Sequence, residues 1–264
     1  ELSLTIERRG DGGTLKARVL VGGPLTSHKG INVPGAQLSF SSLTDKDKED
    51  AAFALEQDVD CFALSFVRRA ADVRELRHFL ESNGAESPFI IAKIEKPEAL
   101  SDFDQILTRC DGVMVARGDL GVETPAEEVP FHQKELIKSC NRHGKPVITA
   151  TQMLQRMIEH PRPTRAEASD VANAILDGTD GVMLSGETAV GNYPIRAAEM
   201  MATICANAEA HLPQSRLVES GTECYDVTTE AISSSAVEIA REVDARAIVP
   251  ATMSGSTARM VARP

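Results

Sequence analysis

Five short apolar segments recur along the chain at nearly regular intervals, and this rhythm constrains the fold more than any other feature. The segments begin 23 to 35 residues apart, which leaves room for one helix between neighbours. A strand, a crossover helix and a second parallel strand need about 30 residues, so the spacing predicts successive βαβ units. The segments are residues 61–66, 89–94, 112–116, 146–150 and 181–184.

Helical patterns fill the gaps between these segments. Apolar residues recur three and four positions apart, as on one face of a helix, and Gly84 and Gly178 follow two such patterns as expected helix ends. A further stripe runs from Leu100 to Leu107. Strands that are apolar on both faces and alternate with helices indicate a parallel sheet covered by helices. We therefore predict an α/β protein containing part of a (β/α)₈ TIM barrel, although a doubly wound sheet fits the rhythm alone.

The flanking regions predict different structures. Residues 1–33 are rich in Gly, Thr and Val and predict a β domain. A polar stretch near Ser215 reads as a linker, followed by a helix with Ile232 and Ile239 on its apolar face and a strand at 247–250. We predict three parts: a β lid at 1–33, barrel at 34–214, and the start of a C-terminal α/β domain at 215–264. We expect a longer parent protein, and no internal repeat beyond the strand–helix alternation.

Composition excludes several classes of partner. The net charge of −11 gives no electrostatic footprint for nucleic acid or for an anionic membrane surface. No apolar run reaches the roughly 18 residues of a spanning helix, and no signal peptide is visible. The five cysteines are widely spaced and predict reduced core thiols in a cytoplasmic protein, with no zinc spacing. An anionic substrate would therefore need local cations or a bound metal.

Residues 91–95 place a lysine and a glutamate two positions apart within what otherwise reads as a buried strand. Side chains alternate along a strand, so Lys93 and Glu95 point to the same side. A buried charge is costly unless it is paired or binds a metal. The pattern indicates either a structural ion pair at a sheet edge or the charged part of an active site, and the rest of the chain favours the second.

Polar or charged residues lie at the C-terminal end of every predicted strand. Active sites of α/β barrels lie at these ends, so we expect the side chains to meet. Each has a structural alternative: Asp119 or Thr151 could cap a helix, and Ser185 with Glu187 could form a local cap. Five polar ends together favour a common site. The residues are Ser65, Lys93, Glu95, Arg117, Gly118, Asp119, Thr149, Thr151, Ser185 and Glu187.

The residue types at these ends fit one chemistry. Glu95 and Asp119 offer the hard carboxylate oxygens that bind Mg²⁺ or Mn²⁺ together with water and substrate oxygens. Gly118 lets the backbone approach a ligand, and N–H groups that open a helix there would bind a carboxylate or phosphate. Lys93 supplies positive charge where negative charge develops on a substrate oxygen. Together they predict a metal-assisted site for a small oxyanion.

Six segments resemble the pyruvate kinase family in sequence, order and spacing, and the similarity covers nearly the whole chain. The resemblance implies phosphoryl transfer from phosphoenolpyruvate to ADP, giving pyruvate and ATP. The segments are Lys-Gly-Ile-Asn-Val-Pro-Gly at 29–35, Ile-Ala-Lys-Ile-Glu at 91–95, Val-Met-Val-Ala-Arg-Gly-Asp-Leu-Gly at 113–121, Ala-Thr-Gln-Met-Leu at 150–154, Pro-Arg-Pro-Thr-Arg-Ala-Glu at 161–167 and Met-Leu-Ser-Gly-Glu-Thr at 183–188.

The resemblance also implies individual roles. Glu95 and Asp119 would hold the catalytic divalent ion, and Lys93 would stabilise the transferring phosphoryl group and the enolate oxygen. The backbone of Gly118 and Asp119, with the Thr151 hydroxyl, would hold the substrate carboxylate. Ser185 and Glu187 would support, with Thr151, the proton relay to the enolate. The residues with these implied roles are Lys93, Glu95, Gly118, Asp119, Thr151, Ser185 and Glu187.

Further implied features lie nearer the chain ends. Lys29 resembles the lid lysine that reaches the nucleotide phosphates. Thr252, Ser254, Ser256 and Thr257 resemble the phosphate cradle of an allosteric effector site, with a solvated loop and helix cap as the alternative. Family members carry K⁺ ligands, an arginine that contacts phosphate and three more barrel strands ahead of the first residue here. The family also implies a homotetramer.

Two other functions remain as alternatives. One is a different barrel enzyme acting on pyruvate or phosphoenolpyruvate, such as an aldolase or a lyase. The lid-like sequence before the barrel, with Lys29, argues against it. The other is a non-catalytic remnant that binds effectors or partners. The presence of Lys93, Glu95, Asp119 and Thr151 argues against that second alternative.

Overall fold

A computed structural model describes residues 2–25, 27, 30–31, 33, 42–212, 227–253 and 255–262. Backbone contacts divide the chain into two units, Glu1–Ala36 and Gln37–Pro264. The predicted divisions after residues 33 and 214 stay predictions. Lys29, Ser254 and the predicted linker at Ser215 lie outside the described residues.

The first unit contains an antiparallel hairpin. Strand β1 (Ser3–Arg9) pairs with β2 (Leu15–Val21), which confirms the predicted β-structure. Gly12 and Gly13 have φ of 67° and 80° in the connecting turn, a backbone conformation that glycine adopts without steric cost. Every described residue of this unit is exposed.

The second unit contains a five-stranded parallel sheet with the strand order β3-β4-β5-β6-β7. A doubly wound sheet reverses its strand order at a switch point, whereas a barrel adds each new strand beside the last. The sequential order therefore identifies part of a (β/α)₈ barrel. The strands agree with the predicted segments to within one residue: β3 Cys61–Val67, β4 Phe89–Ile94, β5 Gly112–Ala116, β6 Val147–Ala150 and β7 Gly181–Met183.

Helices follow the strands as predicted. Gly84 (φ 97°) and Gly178 (φ 99°) lie directly at the ends of the two helices they were expected to close. The stripe from Leu100 to Leu107 is divided at Asp102, whose carboxylate accepts a hydrogen bond from Ala70 N at 2.8 Å. The helices of this region are α1 Asp45–Glu56, α2 Ala70–Ser82, α3 Pro97–Ser101, α4 Phe103–Leu107, α5 Arg117–Glu123, α6 Val129–Arg142, α7 Arg165–Asp177, α8 Gly186–Ala189 and α9 Pro194–Glu209.

Two apolar clusters form the core. The larger packs β3, β4 and β5 against their helices, and the smaller surrounds Met153 and Met157 near α7 and α9. Of the described cysteines, Cys110 and Cys140 are buried and free as predicted, whereas Cys61 is exposed and Cys205 half-buried, so the core prediction is wrong for Cys61. Burial raises the pKa of Cys110 to about 11. Thiols of this kind stay protonated and unreactive, as expected for core cysteines. Within the described ranges, no helix combines the length and the hydropathy that crossing a bilayer requires.

A short repeat that the sequence analysis did not predict fixes the N-terminal ends of the strands. The tetrapeptide Asp-Gly-Val-Met begins at Asp111 and again at Asp180. The Asp111 carboxylate accepts from Ile90 N at 2.9 Å, and Asp111 N donates to Ile90 O at 2.8 Å. Asp180 binds Val147 in the same way, at 2.8 Å and 2.9 Å. Each aspartate therefore sets the register of its own strand against the preceding one.

The C-terminal part contains α10 (Val227–Glu242), which packs against α11 (Ser256–Ala262). The predicted strand at 247–250 was wrong, because residues there form no strand. Strand hydrogen bonds need a neighbouring backbone, and no described strand pairs with this segment. The predicted apolar face of α10 is exposed, with Ile232 at 63% and Ile239 at 58% exposure.

The Asp180 carboxyl predicts a pH dependence of stability. Burial raises the pKa of Asp180 above its ordinary value of 3.8, although the bond from Val147 N opposes this. The folded state therefore binds this proton more tightly, so its stabilising effect is present at low pH and is lost as the pH rises through the folded pKa. In the Asp180→Asn variant the amide oxygen can still accept from Val147 N, but the side chain no longer titrates. We therefore expect this variant to lack the pH-dependent contribution of Asp180 to the free energy of unfolding.

Chemical denaturation of the full-length protein and of Asp180→Asn, from below pH 4 upward, measures the effect. The free energy of unfolding of the wild type should fall relative to that of the variant as the pH rises. A difference that does not change with pH would contradict the prediction.

Candidate active site

The C-terminal ends of the five parallel strands meet at one edge of the sheet, and most of the predicted polar residues lie there. Hydrogen bonds gather them into three groups, at β3–β4, at β5–β6 and at β6–β7. Thr149 is the exception. It is fully buried and its hydroxyl binds that of Thr179 at 3.0 Å, so it belongs to the core.

The first group is centred on Glu95, which is 1% exposed. Glu95 Oε1 lies 2.7 Å from Lys93 Nζ, and Oε2 accepts from Phe66 N at 2.7 Å. Lys93 Nζ also donates to Ser65 Oγ at 2.9 Å. The prediction that Lys93 and Glu95 share one side of the strand is confirmed. β4 lies between β3 and β5, so the pair belongs to an interior strand of the sheet and not to an edge strand.

An irregular turn of backbone brings Phe66 N to Glu95. The register between β3 and β4 shifts between Leu64 and Val67, and Phe66 has φ of 54°. A bulky residue in this left-handed region is strained, and such strain persists where the surrounding structure holds it. No residue pattern in β3 marks this irregularity, so the role of Phe66 is not predictable from the sequence.

The second group joins β5 to β6. Gly118 N donates to Thr151 Oγ1 at 2.7 Å. A Cβ atom on Gly118 would lie 3.1 Å from that oxygen, so the close approach depends on glycine. Thr151 therefore does not cap a following helix with its hydroxyl. Asp119 lies in the first turn of α5, whose N-cap is Ala116, so the capping alternative for Asp119 is not observed either.

The carboxylate of Asp119 is partly exposed and makes no hydrogen bond or ion pair with another described residue. The register of β4 and β5 pairs Ile94 with Val115, so Glu95 and Asp119 follow adjacent ends of neighbouring strands. No group of three His, Cys, Asp or Glu residues within the described ranges is arranged to hold a metal. Two carboxylates nevertheless suit Mg²⁺, which takes its remaining ligands from water and substrate.

Arg117 supports the turn after β6, a role that its place in the motif did not reveal. Thr151 and Gln152 have φ of 69° and 55°, an unusual conformation for a β-branched residue such as threonine. Arg117 Nη2 donates to Thr151 O at 2.9 Å, and Nη1 donates to Asp170 at 2.7 Å. The Arg117 side chain is only 10% exposed. A buried guanidinium requires partners, so it holds both the turn and α7.

The third group is centred on Glu187, which is 2% exposed. Its Oε2 accepts from Ser185 N at 2.8 Å and its Oε1 accepts from Leu154 N at 3.1 Å. The first contact matches the local cap considered for these residues, while the second joins the end of β7 to the segment after β6. The Ser185 hydroxyl is buried without a partner in the described structure. Buried hydroxyls are usually paired, so this one is available to water or a ligand.

The candidate effector residues form a turn and a helix start. Thr252 Oγ1 accepts from Gly255 N at 3.1 Å, as the loop-and-cap alternative predicts. Ser256 and Thr257 begin α11. Their assignment to an effector site stays a prediction.

The parallel sheet, with its charged edge, defines an α/β barrel of the kind that carries its active site at the C-terminal strand ends. The family model "Pyruvate kinase, barrel domain" matches residues 1–198, and "Pyruvate kinase, alpha/beta domain" matches residues 230–264. The chain belongs to the pyruvate kinase family. This membership does not support the aldolase or lyase alternative.

Similar proteins carry the same family name. The chain is 54% identical over 250 residues to pyruvate kinase 2 of Synechocystis sp.. The aligned region covers 94% of the chain and 42% of that protein. It is also 53% identical over 252 residues to the pyruvate kinase of Geobacillus stearothermophilus. That aligned region covers 95% of the chain and 43% of that protein. The chain therefore spans about two fifths of the length of these curated relatives.

The contact between Gly118 and Thr151 predicts a difference between two variants of the full-length protein. Thr151→Ser keeps the hydroxyl and removes the β-branch, whereas Thr151→Ala leaves Gly118 N without its acceptor. The Ala variant should be less stable than the Ser variant by about 1 kcal/mol, the typical net contribution of one hydrogen bond, because the bond is only part-buried. Urea denaturation measures both free energies of unfolding. Equal stability of the two variants would show that the hydroxyl contributes nothing.

Proposed function

We propose that the protein to which this chain belongs is an active pyruvate kinase, which transfers a phosphoryl group from phosphoenolpyruvate to ADP and forms pyruvate and ATP. The observation that carries the proposal is the Lys93–Glu95 ion pair, a lysine held at 2.7 Å from a buried carboxylate at the C-terminal end of a barrel strand. Family membership and the motif order support the same reaction.

The pyruvate kinase family generally uses Mg²⁺ and K⁺. We assign Mg²⁺, or Mn²⁺, to Glu95 and Asp119, and assign no described residue to K⁺. The donor chemistry fits, because the carboxylate of Asp119, which no other described residue binds, offers hard oxygen ligands, as do the two remaining lone-pair positions of Glu95. When bound, the metal neutralises charge on the phosphoryl oxygens.

Lys93 stabilises the negative charge that develops during transfer. Its Nζ is held by Ser65 Oγ and Glu95 Oε1, so its position is fixed before substrate binds. Phosphoryl transfer leaves the protein little covalent work, so a fixed charge contributes by electrostatic stabilisation. The same cation faces the enolate oxygen after the phosphoryl group has left.

Thr151, with the backbone at Asp119, holds the substrate carboxylate, and Gly118 orients the Thr151 hydroxyl. A threonine hydroxyl has one donor proton and accepts through two lone pairs. Because Thr151 Oγ1 accepts from Gly118 N, its proton remains free to donate to a substrate oxygen. Thr151 therefore contacts the substrate carboxylate directly, while Gly118 orients the Thr151 hydroxyl.

The Ser185–Glu187 group supports protonation of the enolate. The enolate carbon takes up one proton, which converts the enolate to pyruvate. The Ser185 hydroxyl is the member of this group that has no partner within the described structure, so we assign it the water of the relay. Glu187 positions Ser185 through its backbone N–H at 2.8 Å.

Several proposals concern other parts of the protein. Lys29 would contact the nucleotide phosphates, and Thr252, Ser254, Ser256 and Thr257 would cradle a phosphorylated effector. The match of residues 230–264 to the family's α/β domain supports a separate domain from residue 215. We also propose the homotetramer and the cytoplasmic location, the second supported by the free buried thiols Cys110 and Cys140.

The metal assignment is tested in the full-length protein by Glu95→Gln. An amide lacks the charge of the carboxylate, so Mn²⁺ affinity should fall by about tenfold or more, with metal-site substitutions as a guide. Equilibrium Mn²⁺ titration followed by electron paramagnetic resonance measures the change. An unaltered dissociation constant would rule out Glu95 as a ligand.

The charge role is tested by Lys93→Met. Since the interaction strengthens in the transition state, the loss should fall mainly on kcat, by about 10²–10³-fold or more. Exchange of pyruvate methyl protons with solvent, followed by proton resonance, should persist in part because Ser185, Glu187 and Thr151 remain. A near-normal kcat with only a raised KM would refute the role. Absence of transfer activity in the wild-type protein would favour the non-catalytic alternative.

A further inference from the structure

Lys96, the residue after Glu95, makes a second charged contact at this edge of the sheet. Lys96 Nζ lies 2.6 Å from Glu123 Oε1, and the two side chains are only 19% and 5% exposed. Lys96 Nζ also lies 5.8 Å from the centroid of the Phe66 ring, within the range of a cation–π contact. We call these three residues the Lys96 clamp. None of them is needed for the steps of the proposed reaction.

The position of Glu123 gives the clamp its significance. Glu123 is the last residue of α5 and lies four residues after Asp119. Residues four apart lie on the same face of a helix, so the face that carries Asp119 also carries Glu123. Because Glu123 is bound to the neighbour of Glu95, that face of α5 is turned toward the end of β4. The ion pair therefore fixes the rotation of α5 about its axis.

The helix itself needs such an anchor. α5 has seven residues, and its N-cap residue, Ala116, makes no side-chain capping bond. Isolated helices of this length are unstable, so their orientation depends on tertiary contacts. Gly118 N is held by Thr151 near the N-terminal end, and Glu123 is held by Lys96 at the C-terminal end. Asp119 lies between these two points, and its carboxylate has no partner among the described residues.

The clamp reaches the other predicted metal ligand as well. Phe66 N donates to Glu95 Oε2, and Lys96 lies over the ring of the same phenylalanine. The left-handed backbone of Phe66 is thus held by Glu95 through its N–H and by Lys96 through its ring. Both carboxylates of the proposed metal site are therefore connected to Lys96 through one intermediate residue each.

We propose that the Lys96 clamp is a positioning device that sets the spacing of the Glu95 and Asp119 carboxylates, and thereby the affinity of the site for a divalent cation. The inference rests on the proposed metal site. A buried ion pair can also act on stability alone, and breaking it leaves an unpaired charge. The test must therefore separate metal affinity from stability.

The full-length protein and its Lys96→Met and Glu123→Gln variants provide that test, at a temperature well below unfolding. Each variant should bind Mn²⁺ about 3- to 10-fold more weakly, below the effect typical of a direct partner of a metal ligand. Lys96→Arg should retain affinity because it keeps the charge. The Mg²⁺ concentration for half-maximal activity should rise in parallel, while kcat at saturating Mg²⁺ stays within about twofold.

A double variant shows whether the two residues act through one contact. If they do, Lys96→Met combined with Glu123→Gln should weaken Mn²⁺ binding no more than the stronger single change. Glu123→Gln also keeps the test open if Lys96→Met does not fold.

Arg77→Met is the matched control. Arg77 Nη2 lies 2.6 Å from Asp111, in a part-buried ion pair at the opposite end of the same two strands. Its loss should lower the melting temperature without changing Mn²⁺ affinity. Equal loss of affinity in Arg77→Met would show that the clamp acts only through stability, and would overturn the proposal.

Glu95→Gln separates this inference from the function on which it rests. Weaker Mn²⁺ binding in Glu95→Gln with wild-type affinity in Lys96→Met overturns the clamp and leaves the metal site standing. Unchanged affinity in Glu95→Gln overturns both. Losses that multiply in the double variant also overturn the clamp, since the residues would then act separately.

Discussion

The burial of the Glu95 carboxylate is the constraint on which the arrangement of this site depends. At 1% exposure it has lost nearly all contact with water, so its charge requires partners from the protein. Lys93 supplies the countercharge, and Phe66 supplies a backbone donor from the neighbouring strand. The bulge in β3 and the fixed position of Lys93 both follow from this requirement. A buried charge thus organises two adjacent strand ends.

Three of the six described non-glycine residues with positive φ lie at the same edge of the sheet. Phe66, Thr151 and Gln152 have positive φ, and all three follow or end strands that contribute to the proposed site. Two of them are held by contacts from other elements. The Glu95 carboxylate accepts from Phe66 N, and Thr151 is bound by the Arg117 side chain and by Gly118 N. These contacts place the side chains away from the ordinary alternation of a strand. The geometry of the site is therefore a property of the contacts between strand ends and cannot be assigned to any single strand.

The strands could be predicted well from the sequence because each is a short, continuously apolar segment between two helices. Strands of a parallel sheet have this composition because both of their faces are buried. The sequence also placed Lys93 beside Glu95, since side-chain alternation is a local rule. It failed for the bulge at Phe66 and for the role of Arg117, which depend on contacts between residues distant in sequence. Motif order identified the other candidate site residues, but their roles follow from the family resemblance. The strand expected at 247–250 failed because a strand also needs a partner.

The Asp-Gly-Val-Met repeat has a consequence for the modularity of the barrel. Asp111 and Asp180 hold Ile90 and Val147 through the backbone atoms of those two residues, so neither register contact depends on the side chain of the strand partner. Asp111 also pairs with the Arg77 side chain of α2. A strand–helix unit taken from another barrel could replace the unit that precedes either aspartate and still be held in register. The contacts at the opposite edge, in contrast, join named side chains such as Lys96 and Glu123. Exchange of such units should therefore preserve the fold of the barrel more readily than the contacts of the active site. Barrels assembled from units of different proteins should fold but lack activity until the side-chain contacts at the C-terminal strand ends are restored.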